Sequence, residues 1–536
     1  MSAAEPSSRF SHLPRAASDA LQCSVTGPLL LSLARYNKGS AFPDDERKAF
    51  ALHGLLPPKI QTLEEQADRA YQQYSSCGDD LSKNTFMASM KVQNEVLYYK
   101  LLQTHLKEMF SIIYTPTEAD AIQNYSRLFR KPEGCFLNIR DQDAIDECLA
   151  AYGNAEDIDY IVVSDGEEQI LGIGDQGVGA ILISAAKLTI ATLCAGIHPS
   201  RQLPVVLDCG TNATWIRGSS FIFIDFASED FGIQNAKRIL DRYQSQIPCF
   251  NDDIQGTGCV TVAAILAALH VSDVKVTDVR AVIFGSGTAG MGIADQLADT
   301  IARQADKSRE DARKQIWCID KLGLLLKSHG DKLTASQAEI ARDTDEWSTD
   351  KQHGLLSVIQ RVKPHVLVGT STVPNAFDET VIREMAKHVQ RPIVFPLSNP
   401  TRLHEARPKD LFTWTDGKAL VATAECNNST CFPGIGLGAV LSRSRLVSRK
   451  MLVAAVEALK LKSPALGNPA RALLPDVQDV REVSVEVAAK VIQCAVEENL
   501  AQEKDIPRDD GELREWIRAQ MWDAAYRPLV KQNVKN

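Results

Sequence analysis

The chain of 536 residues has no basic character, since 59 lysines and arginines face 68 aspartates and glutamates for a net charge of -9. Without a cationic field nothing draws in a phosphate backbone, which excludes nucleic acid as a partner. Any Cys-x-x-Cys pair is also missing. The 12 cysteines are scattered, the pattern of reduced intracellular thiols rather than of a disulfide-stapled secreted module. No internal repeat occurs, so repeat architectures are excluded. Nor is the most apolar run free of charge. The best candidate, Val178 to Ile197, carries Lys187 near its middle and the small residues Gly179, Ala180, Ser184, Ala185 and Ala186. A lysine at that depth is costly in lipid, so the run reads as a buried helix and no membrane is expected. Arg9, Arg15 and Arg35 stand among serines near the N-terminus, interrupted by Glu5 and Asp19. The cytoplasm is the favoured compartment, with a mitochondrial presequence as the alternative.

What the chain does have is a globular balance, 44% hydrophobic and 24% charged residues, at a length that calls for two or three packed units. Up to residue 110 it reads as helical, with stretches at Thr62 to Ser75 and Phe86 to Phe110 after the Gly54 to Pro58 break. Between 111 and 265 strands appear: Ile158 to Ser164, Pro204 to Leu207 and Phe221 to Phe226. A turn at Asp165-Gly166 leads to an apolar return over Gln169 to Ile173, and an alanine-rich helix covers Val260 to Val271. From 266 to 463 strands alternate with helical spacers. These are Val279 to Phe284, Gln315 to Asp320, His365 to Gly369, Ile393 to Leu397 and Ala419 to Thr423, with a helix over Ala289 to Arg303. That cadence predicts an α/β fold with a parallel, doubly wound, Rossmann-like sheet. Residues 464–536 form a charged, helical extension, with a helix over Val483 to Glu498.

The chemistry-bearing residues cluster in a few motifs. Gly285, Gly287 and Gly290 follow an apolar strand and open a helix, the setting in which backbone amides hold a dinucleotide pyrophosphate. Asp320 ends the next strand, where a carboxylate binds ribose hydroxyls, and Lys321 follows it. A second glycine run, Gly172, Gly174 and Gly177, surrounds Asp175, an acid that repels phosphate, and so reads as a tight turn. Lys187, alone in an apolar helix, is a candidate general base, because burial lowers a lysine pKa toward the range of proton transfer. Glu229, Asp230 and Asp253 supply three hard oxygen ligands suited to Mg²⁺ or Mn²⁺, and Asp252 adjoins them. Tyr114 ends a helical segment before Thr115-Pro116-Thr117, by itself a turn. Asn399-Pro400 and Asn427-Asn428 lie just past predicted strands, at the edge where doubly wound sheets bind ligands.

Tyr114-Thr115-Pro116-Thr117, the Gly172 to Gly177 loop with Lys187, Leu207 to Asn212, Glu229-Asp230-Phe231, Phe250 to Thr257, Leu397 to Pro400, and Asn427-Asn428 before Phe432-Pro433-Gly434 occur in that order. In this the chain resembles the malic enzyme family over nearly its whole length. The resemblance implies oxidative decarboxylation of L-malate to pyruvate and CO₂ with reduction of NAD or NADP. It makes 111–265 the malate- and metal-binding domain and 266–463 the NAD(P)-binding domain. It further implies Lys187 as base, Tyr114 as the acid that protonates enolpyruvate, and Asp252 as the residue tuning Lys187. Glu229, Asp230 and Asp253 become the metal ligands, while Asn399 and Asn428 orient carboxylates and Asn399 also adjoins the cofactor. A homotetramer is implied as well. Gln337 stands where NADP-selective relatives tend to place a lysine, which favours NAD.

Three departures from the family pattern accompany it. Gln169 occupies the place of a substrate-clamping arginine, a segment is shortened between Asn212 and Glu229, and another between Ala424 and Glu425. They raise a competing expectation, a catalytically impaired homologue serving as an assembly or regulatory subunit. A plain 2-hydroxy acid dehydrogenase is the third, but gives no use for a metal triad beside a tyrosine acid.

Overall fold

The computed structural model describes residues 15, 19–167, 172–209, 226–228, 230–347, 353–399, 401–423 and 428–532. Outside them lie Glu229, Gln169, Pro400, Asn427, most of the segment shortened between Asn212 and Glu229, the junction of Ala424 and Glu425, most of the strand expected over Phe221 to Phe226, and the start of the apolar return after Gly166. The chain divides into two compact units, one of Met1–Glu167, Asp175–Ile224 and Asp505–Asn536, the other of Glu168–Gly174 and Asp225–Lys504.

The first unit opens with strand β1 (Leu21–Cys23) and a layer of short helices. Helix Leu63–Ser75 starts where sequence rules place it, because the Thr62 hydroxyl accepts from the Glu65 amide while the Glu65 carboxylate accepts from the Thr62 amide. The stretch Phe86 to Phe110 is not one helix. It falls on three, Asp80–Lys91, Glu95–Thr104 and Leu106–Ile113, because Asn94 caps a new start through the Leu97 amide and His105 leaves helical geometry at φ -122°. Strands β2 (Cys135–Asn138), β3 (Tyr160–Ser164) and β4 (Gln202–Asp208) are parallel, β4 pairing with both others. Helix Ile181–Ala195 is buried on nearly every face, which accounts for its membrane-like composition.

In the second unit β5 (Phe226–Ser228) pairs in parallel with β6 (Cys249–Asn251). The α/β cadence then appears as expected. Strands β7 (Ala281–Phe284), β8 (Ile316–Asp320), β9 (Gly323–Leu324), β10 (Val366–Gly369), β11 (Ile393–Pro396) and β12 (Leu420–Val421) form one sheet ordered β12-β11-β10-β7-β8-β9. All its pairings are parallel except β8 with β9. Chain order reverses direction between β7 and β10, which makes that edge the switch point of a doubly wound sheet. The sheet is packed by Val282, Ile319, Leu367, Phe377, Ile382 and Val394, among others, their continuous apolar runs being the mark of strands covered on both faces. Last, β13 (Leu529–Lys531) returns to the first unit and pairs in parallel with β1.

Candidate active site

The Gly172 to Gly177 run is a turn. Gly172, Gly174 and Gly177 all have positive φ, the Asp175 carboxylate accepts from the Gly177 amide at 3.0 Å, and a 3₁₀ turn over Gly177–Ala180 leads into helix Ile181–Ala195. That helix carries Lys187 at 3% exposure. Its ammonium stands 5.2 Å from the centroid of the Tyr114 ring, within the range of a cation–π contact. Tyr114 is itself buried. It follows helix Leu106–Ile113 in extended geometry and precedes a cis Thr115-Pro116 bond. Its carbonyl accepts from the Glu118 amide at 3.0 Å. Asn84 straps this turn from outside, its side-chain amide donating to the Ile112 carbonyl at 2.8 Å and to the Glu118 carboxyl at 3.1 Å. Burial pushes the Glu118 carboxyl up to about 8, against the smaller opposing effects of Asn84 and Lys91. The shift favours the neutral carboxyl beside the Tyr114 turn.

The second unit holds the acidic residues. After β6, Asp252–Gly256 form a π-helical turn that runs into helix Thr257–Val271, a geometry common at functional sites. The Asn251 side chain shapes it, accepting from the Ile254 amide and donating to the Ser228 hydroxyl, both at 2.8 Å. Asp230, Asp252 and Asp253 are all buried. The Asp230 backbone amide donates to the Asp253 carboxylate at 2.7 Å, and Glu229 lies outside the described residues. Among the described residues no group of three or more His, Cys, Asp or Glu side chains is gathered to hold a metal. The carboxylates of Asp230 and Asp253 are oxygen donors, a chemistry that fits a hard divalent ion rather than a soft one. Asp252 meets Asn428. The Asn428 side-chain amide lies 3.1 Å from its carboxylate and 3.1 Å from its carbonyl oxygen.

The glycine loop lies at the switch point. Gly285 has φ +100°, and a Cβ there would come within 2.5 Å of the Ser371 backbone, in the loop after β10. At Gly290 a Cβ would stand 2.0 Å from the Gly285 carbonyl oxygen, so only glycine lets the helix begin this close to the strand. Around Gly287 nothing lies within 4 Å of the place a Cβ would take, leaving the backbone open to a ligand. Helix Thr288–Gln304 starts at Gly287 without a side-chain cap, so its first amides face no side-chain acceptor, as a pyrophosphate site requires. Asp320 ends β8 beside it. Its carboxylate accepts from the Lys321 amide and from the Gln337 side chain, both at 2.9 Å, while Gln337 also donates to the Ser286 carbonyl at 2.9 Å. These groups fit a dinucleotide. Asn399 lies in the exposed loop after β11. Sequence reasoning missed Thr370 and Ser371; the polar run Thr370-Ser371-Thr372 directly after a predicted strand was the available signal for them.

Two family models match the chain. Residues 91–223 match "Malic enzyme, N-terminal domain" and residues 254–496 match "Malic enzyme, NAD binding domain". The chain is 45% identical over 568 residues to "NAD-dependent malic enzyme, mitochondrial" of Saccharomyces cerevisiae, covering 96% of this chain and 84% of that one. It is 42% identical over 570 residues to "NAD-dependent malic enzyme" of Schizosaccharomyces pombe, covering 97% and 100%. Both alignments are longer than this chain's 536 residues, so these relatives carry residues that it lacks. Among solved structures, the Entamoeba histolytica malic enzyme superposes with a TM-score of 0.56 at 20% identity, covering 88% of this chain and 90% of that one, which speaks for the fold. With both models matched in order and substantial identity over nearly its full length, the chain belongs to the malic enzyme family.

Proposed function

We propose that this protein oxidatively decarboxylates L-malate to pyruvate and CO₂ with NAD as the hydride acceptor and a divalent metal ion as Lewis acid. The observation that carries the reading is the buried Lys187 ammonium over the buried Tyr114 ring, a base and an acid side by side. Lys187 is the base that takes the proton from the malate C2 hydroxyl. After loss of CO₂, Tyr114 returns a proton to C3 of the enol, giving pyruvate. Asp252 tunes Lys187 in this reading, and Asn428, bonded to Asp252, orients a substrate carboxylate together with Asn399. Glu229, Asp230 and Asp253 hold Mg²⁺ or Mn²⁺, and the loop Gly285, Gly287 and Gly290 with Asp320, Lys321 and Asn399 holds NAD. When bound, NAD supplies the hydride acceptor and the ion supplies the positive charge that acidifies the hydroxyl and stabilises enolate oxygen. In this reading 111–265 serves malate and metal, 266–463 the dinucleotide, and 1–110 and 464–536 flank them.

The preference for NAD over NADP rests on Asp320, fixed at both oxygens by Gln337 and Lys321 and so set to accept from a free ribose diol. The protein is proposed to be a homotetramer, which light scattering on the purified chain tests. Of the two compartments expected, the name of the S. cerevisiae relative favours the mitochondrion; a fluorescent fusion of the first 35 residues decides. The central experiment is malate-dependent reduction of NAD and NADP with Mn²⁺, with and without EDTA, while pyruvate is assayed. Metal-dependent pyruvate formation with the higher kcat/KM for NAD supports the reading. A folded, dinucleotide-binding protein without turnover refutes it.

A further inference from the structure

Glu405 lies in the polar segment Leu403-His404-Glu405-Ala406-Arg407, yet its side chain is wholly buried. Donors converge on it from two loops. One carboxylate oxygen accepts from the Ser371 amide and the Ser371 hydroxyl, both at 2.8 Å, and from the Ser398 hydroxyl. The other oxygen lies 3.4 Å from the Ser398 amide. The Glu405 carbonyl also accepts from the Phe377 amide at 2.9 Å, which anchors the residue's backbone. Room for the carboxylate exists only because β10 ends in glycine, since a Cβ at Gly369 would stand 2.5 Å from the Glu405 carboxyl carbon.

We infer that Glu405 is a positioning residue for the cofactor site, tying the loops that follow β10 and β11 to each other and, through Ser371, to the glycine loop after β7. Three strands end at this point. The Ser371 backbone abuts Gly285, and the neighbouring Thr370 hydroxyl donates to the Gly285 carbonyl at 2.6 Å. Ser398 precedes Asn399, and its hydroxyl accepts from the Thr372 amide at 2.8 Å. That bond helps hold Thr372 at φ +56°, a left-handed conformation that a β-branched residue rarely keeps unaided. Ligands of a doubly wound sheet bind where these strand ends meet, so a shift in any one loop would move the surface on which the nicotinamide half of the cofactor rests. The inference rests on the reading of this edge as the dinucleotide site.

The test uses the full-length protein and compares wild type with Glu405→Gln, Ser398→Ala and Ser371→Ala. Glutamine keeps the volume but turns one acceptor into a donor facing donors, which disrupts the convergence; each serine variant removes a single hydroxyl. For Glu405→Gln the expected result is a rise in the dissociation constant and KM for NAD of about tenfold, the effect of one or two buried hydrogen bonds. Ser398→Ala and Ser371→Ala should each give a rise of roughly threefold with melting temperatures near wild type. If Glu405→Gln does not fold, the serine variants decide. Failure of wild type to bind NAD overturns the reading beneath the inference. Wild-type NAD binding together with unchanged NAD constants in the soluble variants, whatever their melting temperatures, overturns the inference alone.

Discussion

Replacing Glu118 by glutamine should make the first unit more stable at neutral and alkaline pH while leaving it unchanged in acid. Glu118 is buried, and desolvation raises its carboxyl from 4.5 to about 8. Between those values the folded protein keeps a proton that the unfolded chain has released. Stability contributed by this neutral carboxyl is therefore full below pH 4.5 and is lost as pH rises through 8. At about 1.4 kcal/mol per pH unit, on the order of 3 kcal/mol has gone by pH 7. Glutamine stays neutral throughout and still offers an oxygen to the Asn84 amide, which donates to Glu118 at 3.1 Å. The variant should match wild type near pH 4.5 and exceed it by about 3 kcal/mol at pH 7, a difference that grows no further above pH 8 or so. Because the chain divides into two units, global melting mixes transitions; hydrogen exchange of the amides in helix Thr117–Gln123 across pH 5 to 8.5 reads the affected region directly. Parallel loss of protection in both proteins over that range would refute the reasoning. The consequence reaches the chemistry, because the Glu118 amide bonds the Tyr114 carbonyl.

Other predictions test the rest of the site. Gly290→Ala puts a Cβ 2.0 Å from the Gly285 carbonyl and should weaken NAD binding about 30-fold or more, measured by calorimetry. Lys187→Arg keeps a cation near Tyr114 but accepts no proton at working pH, so kcat should fall by about 10² or more with the fold intact by circular dichroism. Asp253→Asn should abolish the Mn²⁺-induced rise in melting temperature, which for a site loaded at 100 times its Kd corresponds to about 2.7 kcal/mol. Gln337→Ala frees one oxygen of Asp320 and should raise the KM for NAD by roughly fivefold without improving NADP.

Local chemistry was the legible part of this protein. The capping pair Thr62 and Glu65, the apolar runs of β7, β8, β10 and β11, and the glycine loop before Thr288–Gln304 each follow from rules that act within a few residues. Roles for the site residues came from family resemblance, which spacing alone does not supply. What stayed hidden depends on distant partners. Strand β1 pairs with β13 from the far end of the chain, and no local pattern in a three-residue strand announces that. The order β12-β11-β10-β7-β8-β9 is likewise a tertiary choice, although the reversal at β7 is what makes Thr370 and Ser371 neighbours of Gly285.

The remaining misses share a physical cause. Asp230 adopts φ 51° and Thr372 φ 56°, and Glu118 and Glu405 bury acids within hydrogen-bonded surroundings. Asp252–Gly256 wind as a π-helical turn where an α-helix would be the lower-energy start for Thr257–Val271. Each choice works against local propensity, at a cost of about 1–3 kcal/mol for a strained backbone residue, and each adjoins a residue proposed to act on malate, metal or NAD. Propensity reads the preferred state of an isolated segment, so it fails where surrounding contacts hold the chain away from that state. In a protein whose other elements follow local rules so closely, such departures mark where function constrains the fold. By that argument Glu405 and Glu118, neither of which bonds to substrate in the proposed chemistry, belong with the site rather than with the core.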